Sequence, residues 1–232
     1  MPSVATSGVR AKPELAAKFL ALAVILAFGL VFVYQNVVHY FLNYNQSEFT
    51  AAASNHWILR RWLLMHMTGG TVALLSGPFQ FWTGFRTRYA RLHRWTGYFF
   101  LAGVAVGSLC ALRMAFVTTL GRDWGIALLA MDLAWVTTTA MAYYAILKRH
   151  ISIHMEWMLR AYVVTFSFVT LRSLGPIEDF LHVGPTSHFL PGEEHGSTFL
   201  WISWALPLLI TEVILQLRGM SSRASGSKVS NR

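Results

Sequence analysis

Two sets of ionisable residues stand out in an otherwise apolar chain. One comprises His93, in Leu92-His93-Arg94-Trp95-Thr96-Gly97-Tyr98, and His154, in His150-Ile151-Ser152-Ile153-His154-Met155-Glu156-Trp157-Met158-Leu159-Arg160. Each lies at the start of a long apolar segment, and both segments leave the same side, so the two histidines sit at comparable height. Two neutral imidazoles on facing helices are how membrane bundles hold the iron of a b-type haem, and they serve equally as hydrogen-bond partners of a quinone. Arg91, Arg94 and Arg160 stand close enough in sequence to neutralise haem propionates. A plainer reading fits too: interfacial histidines among snorkelling arginines, with Trp95 and Trp157 in the aromatic belt.

The other set is spread over four segments. Measured from the outer ends at 1.5 Å per residue, His66 and Asp132 lie about 12 Å deep, Arg172 about 14 Å and Arg113 about 8 Å. Trp62, His66, Gly70, Ala73, Gly77 and Gln80 form one helical stripe whose small residues admit a close neighbour, and Asp132, Thr139 and Tyr143 share another face. If these faces converge, two guanidiniums meet one carboxylate and one imidazole. The positive surplus suits an anionic or carbonyl-bearing ligand, or proton exchange. The alternative is an Asp132–arginine salt bridge that locks the bundle, with His66 bonded to a backbone carbonyl.

Helices crossing lipid must position these groups. The chain has 232 residues, 55% hydrophobic and only 12% charged, with a mean hydropathy of +0.46. That leaves too little polar surface for a water-soluble globule and excludes a disordered chain. Apolar runs of roughly 20 residues, long enough to span a bilayer, are found at 19–41, 58–82, 96–118, 124–147, 157–181 and 198–217. The expected fold is therefore an all-α, six-helix integral membrane bundle. Residues 1–18 form a cytoplasmic segment, 19–217 the transmembrane domain with its functional core at 58–181, and 218–232 a mobile basic tail. Of nineteen Lys and Arg, only Arg60, Arg61, Arg113, Arg122 and Arg172 fall on the outer side. The positive-inside rule then places both termini in the cytoplasm of a cell with a bacterial-type inner membrane. Topology accounts for the net charge of +9 without nucleic acid; the lipid bilayer is the expected partner.

Other signals are weaker. Gly103-Val104-Ala105-Val106-Gly107 reads as helix packing within the chain more readily than as a dimer face. His182, His188, Glu193, Glu194 and His195 in the outer loop match no standard metal spacing, and Glu212 is placed to reach the interface or Arg218. The lone Cys110 excludes an intrachain disulfide, a thiolate-rich zinc site and c-type haem attachment. No Walker loop, GxSxG, HExxH or dinucleotide fingerprint occurs.

The run His66-Met67-Thr68-Gly69-Gly70, Leu75-Ser76-Gly77-Pro78-Phe79-Gln80-Phe81, Leu92 to Tyr98, His154 to Tyr162 and Leu171-Arg172 resembles the bacterial predicted-membrane-protein family catalogued as domain of unknown function 2306. That resemblance implies the membrane fold and no particular activity. More distantly, the His-Arg-x-x-Gly opening is similar to transmembrane b-type cytochromes and ferric reductases. Those proteins pair histidines on helices two and four and on three and five. Here helix four has no histidine to match His66, so the pattern provides for one haem, or a quinone site without haem, rather than a two-haem wire. The expected function is membrane redox work with a redox partner or within a homo-oligomer. The rivals are a small-anion carrier and an accessory subunit without a site of its own.

Overall fold

The computed structural model describes residues 11–38, 41–42, 56–118, 121–181 and 195–230. Every regular element among them is helical. α1 (Ala11–Phe32) runs into a π turn at Val33–Val38 and is followed by α2 (His56–Ser76), α3 (Pro78–Phe81) and α4 (Thr83–Arg88). Then come α5 (Ala90–Val117), α6 (Arg122–Leu147), α7 (Ile151–Thr165), α8 (Ser167–Leu181) and α9 (His195–Ser230).

Among the described residues three helical stretches are long and apolar enough to cross a bilayer: α5, α6 and Ser197–Ser221 of α9. The other apolar runs are interrupted. The 58–82 run divides at Gly77 into α2 and α3, and the 157–181 run divides at Phe166 into α7 and α8. Side chains reverse the soluble pattern, with Phe116 73% and Leu109 67% exposed while His66, Asp132 and Thr139 are buried. An apolar exterior around a polar seam is stable only where hydrocarbon is the solvent.

α2 packs along α5, α5 against α6 and α6 against α7, and α7 touches α2 in turn. These helices therefore form a four-membered ring in which α5 and α7 stand diagonally opposed. α9 covers α6, α7 and α8, and α1 leans on α2 and α3. Glycines let α2 and α5 approach backbone to backbone. A Cβ on Gly69 would lie 2.6 Å from the Gly103 carbonyl oxygen and 2.6 Å from the Gly107 nitrogen, and one on Gly103 would lie 2.6 Å from the Gly69 oxygen. Gly103 and Gly107 thus serve contact within the chain, as their spacing predicts.

The break at Gly77 follows from its neighbour. Pro78 has no N–H, so the Leu74 carbonyl four residues earlier loses its helical donor. Tyr162 of α7 replaces that donor, its hydroxyl reaching the Leu74 oxygen at 3.2 Å, while its ring lies against Gly77, where any side chain would collide with it. Tyr162→Phe should leave a buried carbonyl unpaired and cost about 1–3 kcal/mol. A lowered Tm of the detergent-solubilised protein checks this, and an unchanged Tm would show that the carbonyl is satisfied otherwise.

The turns set the helix registers. Gly121, at φ 101°, starts α6, and Asp123 in the first turn complements the helix dipole. At the other end Arg149 adopts φ 59°. The His150 N–H returns to the Ala145 carbonyl at 2.9 Å, closing α6 in a three-residue turn, 148–150. The chain therefore doubles back sharply, and the first turn of α7 lies beside the last turns of α6.

Candidate functional site

The sharp α6–α7 turn brings His154 back onto α6. α7 begins at Ile151, so His154 is in its first turn, half-buried, with Nδ1 2.8 Å from the Ala142 carbonyl oxygen. A carbonyl only accepts, so Nδ1 carries the proton and Nε2 holds the free lone pair. His154, Met158, Ala161 and Thr165 share a stripe, and the last three are buried.

His93 reaches the same level from α5. Gln80 of α3 donates to Thr96 Oγ1 at 2.8 Å and to the His93 carbonyl at 3.4 Å, fixing the start of α5 against the underside of α2. The His93 ring meets Phe85 edge-on, with centroids 6.5 Å apart. Its Nδ1 is buried and turned toward the Phe79 carbonyl, short of a well-formed hydrogen bond. His93 and His154 lie within electrostatic range of each other, on the two diagonal helices of the ring.

The flanking arginines are arranged differently from the sequence expectation. Arg94 is exposed. Arg160 is directed at α9, donating from Nε and NH2 to Glu212 Oε2 at 2.9 and 2.6 Å, with its guanidinium 4.8 Å from the Trp157 ring centroid. Glu212 therefore meets Arg160, where sequence pointed to the interface or Arg218, and the pair fastens α9 to α7. The arginine beside the histidines is Arg86, on α4. It lies within electrostatic range of His93 and donates to Met155 Sδ at 3.2 Å, bridging α4 to α7 next to His154. Sequence reading passed over Arg86 because it belongs to a short separate helix. The turn at Tyr89 sets its relation to His93, and helical periodicity does not cross that turn.

The outer set separates into a buried pair and an exposed pair. His66 is buried, with Nδ1 2.8 Å from the Gly107 carbonyl oxygen and Phe168 edge-on at 4.9 Å, matching the alternative in which its ring bonds to backbone. Asp132 is also buried, facing Ser108 of α5. Arg113 and Arg172 are exposed, so the expected meeting of two guanidiniums with Asp132 and His66 does not form. Matched depth fixed height but not azimuth. Arg113 lies six residues, or about 240°, around α5 from the buried Gly107, and Arg172 lies beyond the break at Phe166, on α8. Asp132 Oδ1 is covered and has no hydrogen-bond partner.

Loop residues His182, His188, Glu193 and Glu194, and the side chain of His195, lie outside the described residues. Among the described residues no group of three or more His, Cys, Asp or Glu could hold a metal ion, and Cys110 is buried and free. The arrangement thus brings two imidazoles within electrostatic range of each other and holds, apart from them, a buried polar seam.

No curated protein and no solved structure matches this chain. Residues 63–215, from α2 through most of α9 and including both histidine levels, match the family described as Predicted membrane protein (DUF2306). The polar seam inside an apolar exterior and this match over most of the chain lead to one assignment: the protein belongs to the DUF2306 family of predicted membrane proteins.

Proposed function

We propose that the protein is a multi-pass inner-membrane redox protein that holds one b-type haem between α5 and α7. The reading includes six membrane-crossing segments, counting α2–α3 and α7–α8 as bent crossings, with both termini cytoplasmic. The observation that carries it is the orientation of His154: Nδ1 is spent on the Ala142 carbonyl, which fixes the ring and leaves Nε2 as the ligating nitrogen, the arrangement expected of a metal-bound histidine. His93, turned toward the Phe79 carbonyl, supplies the second ligand from the diagonal helix. A haem bound there would supply one-electron transfer across the cytoplasmic side of the bundle.

The chain's own residues do the rest. Phe85 packs on the His93 ring and limits its rotation. Arg86, tied to Met155, places a positive charge beside the pair, where it would meet a propionate or the carbonyl oxygen of a quinone. A quinone hydrogen-bonded by the same two imidazoles is the second form of this reading. An anion carrier built on Arg113 and Arg172 has less support, because both are exposed.

Protein purified from haem-replete membranes should contain about one haem per chain by the pyridine haemochrome assay. Solvent extraction of the same sample identifies quinone. Absence of both from freshly solubilised, monodisperse protein would overturn the redox reading.

A further inference from the structure

Within the ring lies a set of buried oxygens that the histidine site does not use. Ser108 on α5 and Asp132 and Thr139 on α6 are only 6%, 5% and 6% exposed. Ser108 Oγ, Asp132 Oδ1 and Thr139 Oγ1 are each fully covered and have no hydrogen-bond partner. This is not a general habit of hydroxyls here. Thr138, next to Thr139, bonds back to the Ala134 carbonyl at 2.7 Å; Thr165 does so to Ala161 at 2.8 Å and Ser173 to Val169 at 2.9 Å. A helical Ser or Thr has that bond at hand without help from any neighbour. Ser108 and Thr139 forgo it, in a setting where a bare hydroxyl is costly.

The three oxygens are ordered in space. Ser108 approaches the Asp132 carboxyl across the α5–α6 contact, short of a well-formed hydrogen bond. Thr139 is seven residues further along α6, on the same face and about 10 Å nearer the cytoplasmic end. Ala142, whose carbonyl binds His154, comes three residues later. Between Asp132 and Thr139 the face carries Trp135, whose Nε1 is already committed to Thr165 Oγ1 at 2.8 Å, so it offers the seam no donor. Charged and titratable neighbours are few: His66 of α2 is bonded to Gly107, Arg113 and Arg172 are exposed, and Glu212 of α9 is held by Arg160.

We infer that Ser108, Asp132 and Thr139 line an internal water-binding seam in which Asp132 is a protonated carboxyl that exchanges its proton with ordered water. Buried polar groups that lack protein partners are the usual hosts of internal water, and proton relays are among the functions that ionisable residues inside membrane bundles serve. In the transfer, the Asp132 O–H bond breaks as a neighbouring water gains that proton and passes on another of its own. Reversal restores the carboxyl, and no electrons move. The inference stands apart from the haem reading and survives its failure.

The test is infrared spectroscopy of the full chain in lipid nanodiscs during transfer from H2O to D2O. Wild-type protein should show the C=O band of a protonated carboxyl that shifts on deuteration and is missing in Asp132→Asn. If that variant does not fold, Asp132→Glu should move the band instead. Thr139→Val and Ser108→Ala should each slow the deuterium shift about tenfold, the factor that one lost hydrogen bond is worth, and Thr139→Ser should restore the wild-type rate. Lack of any such band in wild type, a band that never exchanges, or equal exchange rates in wild type and both hydroxyl variants would each overturn the inference.

Discussion

Gly69→Ala should destabilise the bundle by about 3 kcal/mol or more and lower the yield of folded protein, whereas Gly70→Ala, one residue along the same helix, should be tolerated. The added methyl at position 69 would sit 2.6 Å from the Gly103 oxygen and from the Gly107 nitrogen, both of them backbone atoms that cannot swing aside. Relief requires α2 and α5 to separate. Separation loses the contact that aligns His66 with Gly107 and Gln80 with the start of α5. Overpacking of a core commonly costs about 1–3 kcal/mol, and backbone against backbone belongs at or beyond the upper end, against a total stability of about 5–15 kcal/mol. At Gly70 a Cβ meets nothing within 4 Å, and alanine there gains about 0.5–1 kcal/mol from helix propensity. Size-exclusion profiles and thermal unfolding of the two variants, expressed side by side, decide the matter. Equal behaviour would mean that α2 and α5 are not in close contact.

The second large effect concerns the histidine pair. His154→Ala should reduce bound haem to less than about a tenth of wild type, because removing an axial ligand costs more than the about 10–100-fold that loss of an outer-shell partner costs. His93→Ala should behave alike, since in the proposed site the two rings would address one iron. His66→Ala should leave haem content unchanged, although His66 is the most deeply buried of the three. Its ring is fixed to Gly107, fourteen residues along α5 from His93 and so about 21 Å distant along the axis. Adding imidazole to a cavity variant, His154→Gly, should recover part of the haem, which separates a ligand role from a role in folding. Haem content equal to wild type in both His93→Ala and His154→Ala would remove the pair from any cofactor site.

The contrast between His66 and Arg113 shows what the sequence could reveal. Hydropathy and a rise of 1.5 Å per residue set the heights of titratable groups along their helices, and by that measure His93 and His154 belong together. Azimuth is a different quantity. It depends on which neighbour each helix packs against and on bends between segments, so Arg113 and Arg172, level with Asp132 on paper, are turned outward. The bends were only half readable. Gly77-Pro78 signals its own break, because proline removes a donor. The break at Phe166 has neither glycine nor proline; Phe28 of α1 stacks on its ring at 6.2 Å, a contact that exists only in the folded bundle. Conversely, Pro207 lies within continuous α9. Arg86 was hidden for a related reason, since its place beside His93 depends on two short helices folded under α2.

The proposed haem site requires two imidazoles from diagonal helices to meet at one ligand. Near-infrared magnetic circular dichroism of the oxidised, purified protein tests this most directly, because the charge-transfer band of low-spin ferric haem reports which side chains are axial. Wild type should show the bis-histidine signature, lost in His93→Ala and in His154→Ala and retained in Arg94→Gln. A spectrum with one histidine or none, or a bis-histidine signature that survives both substitutions, would contradict it.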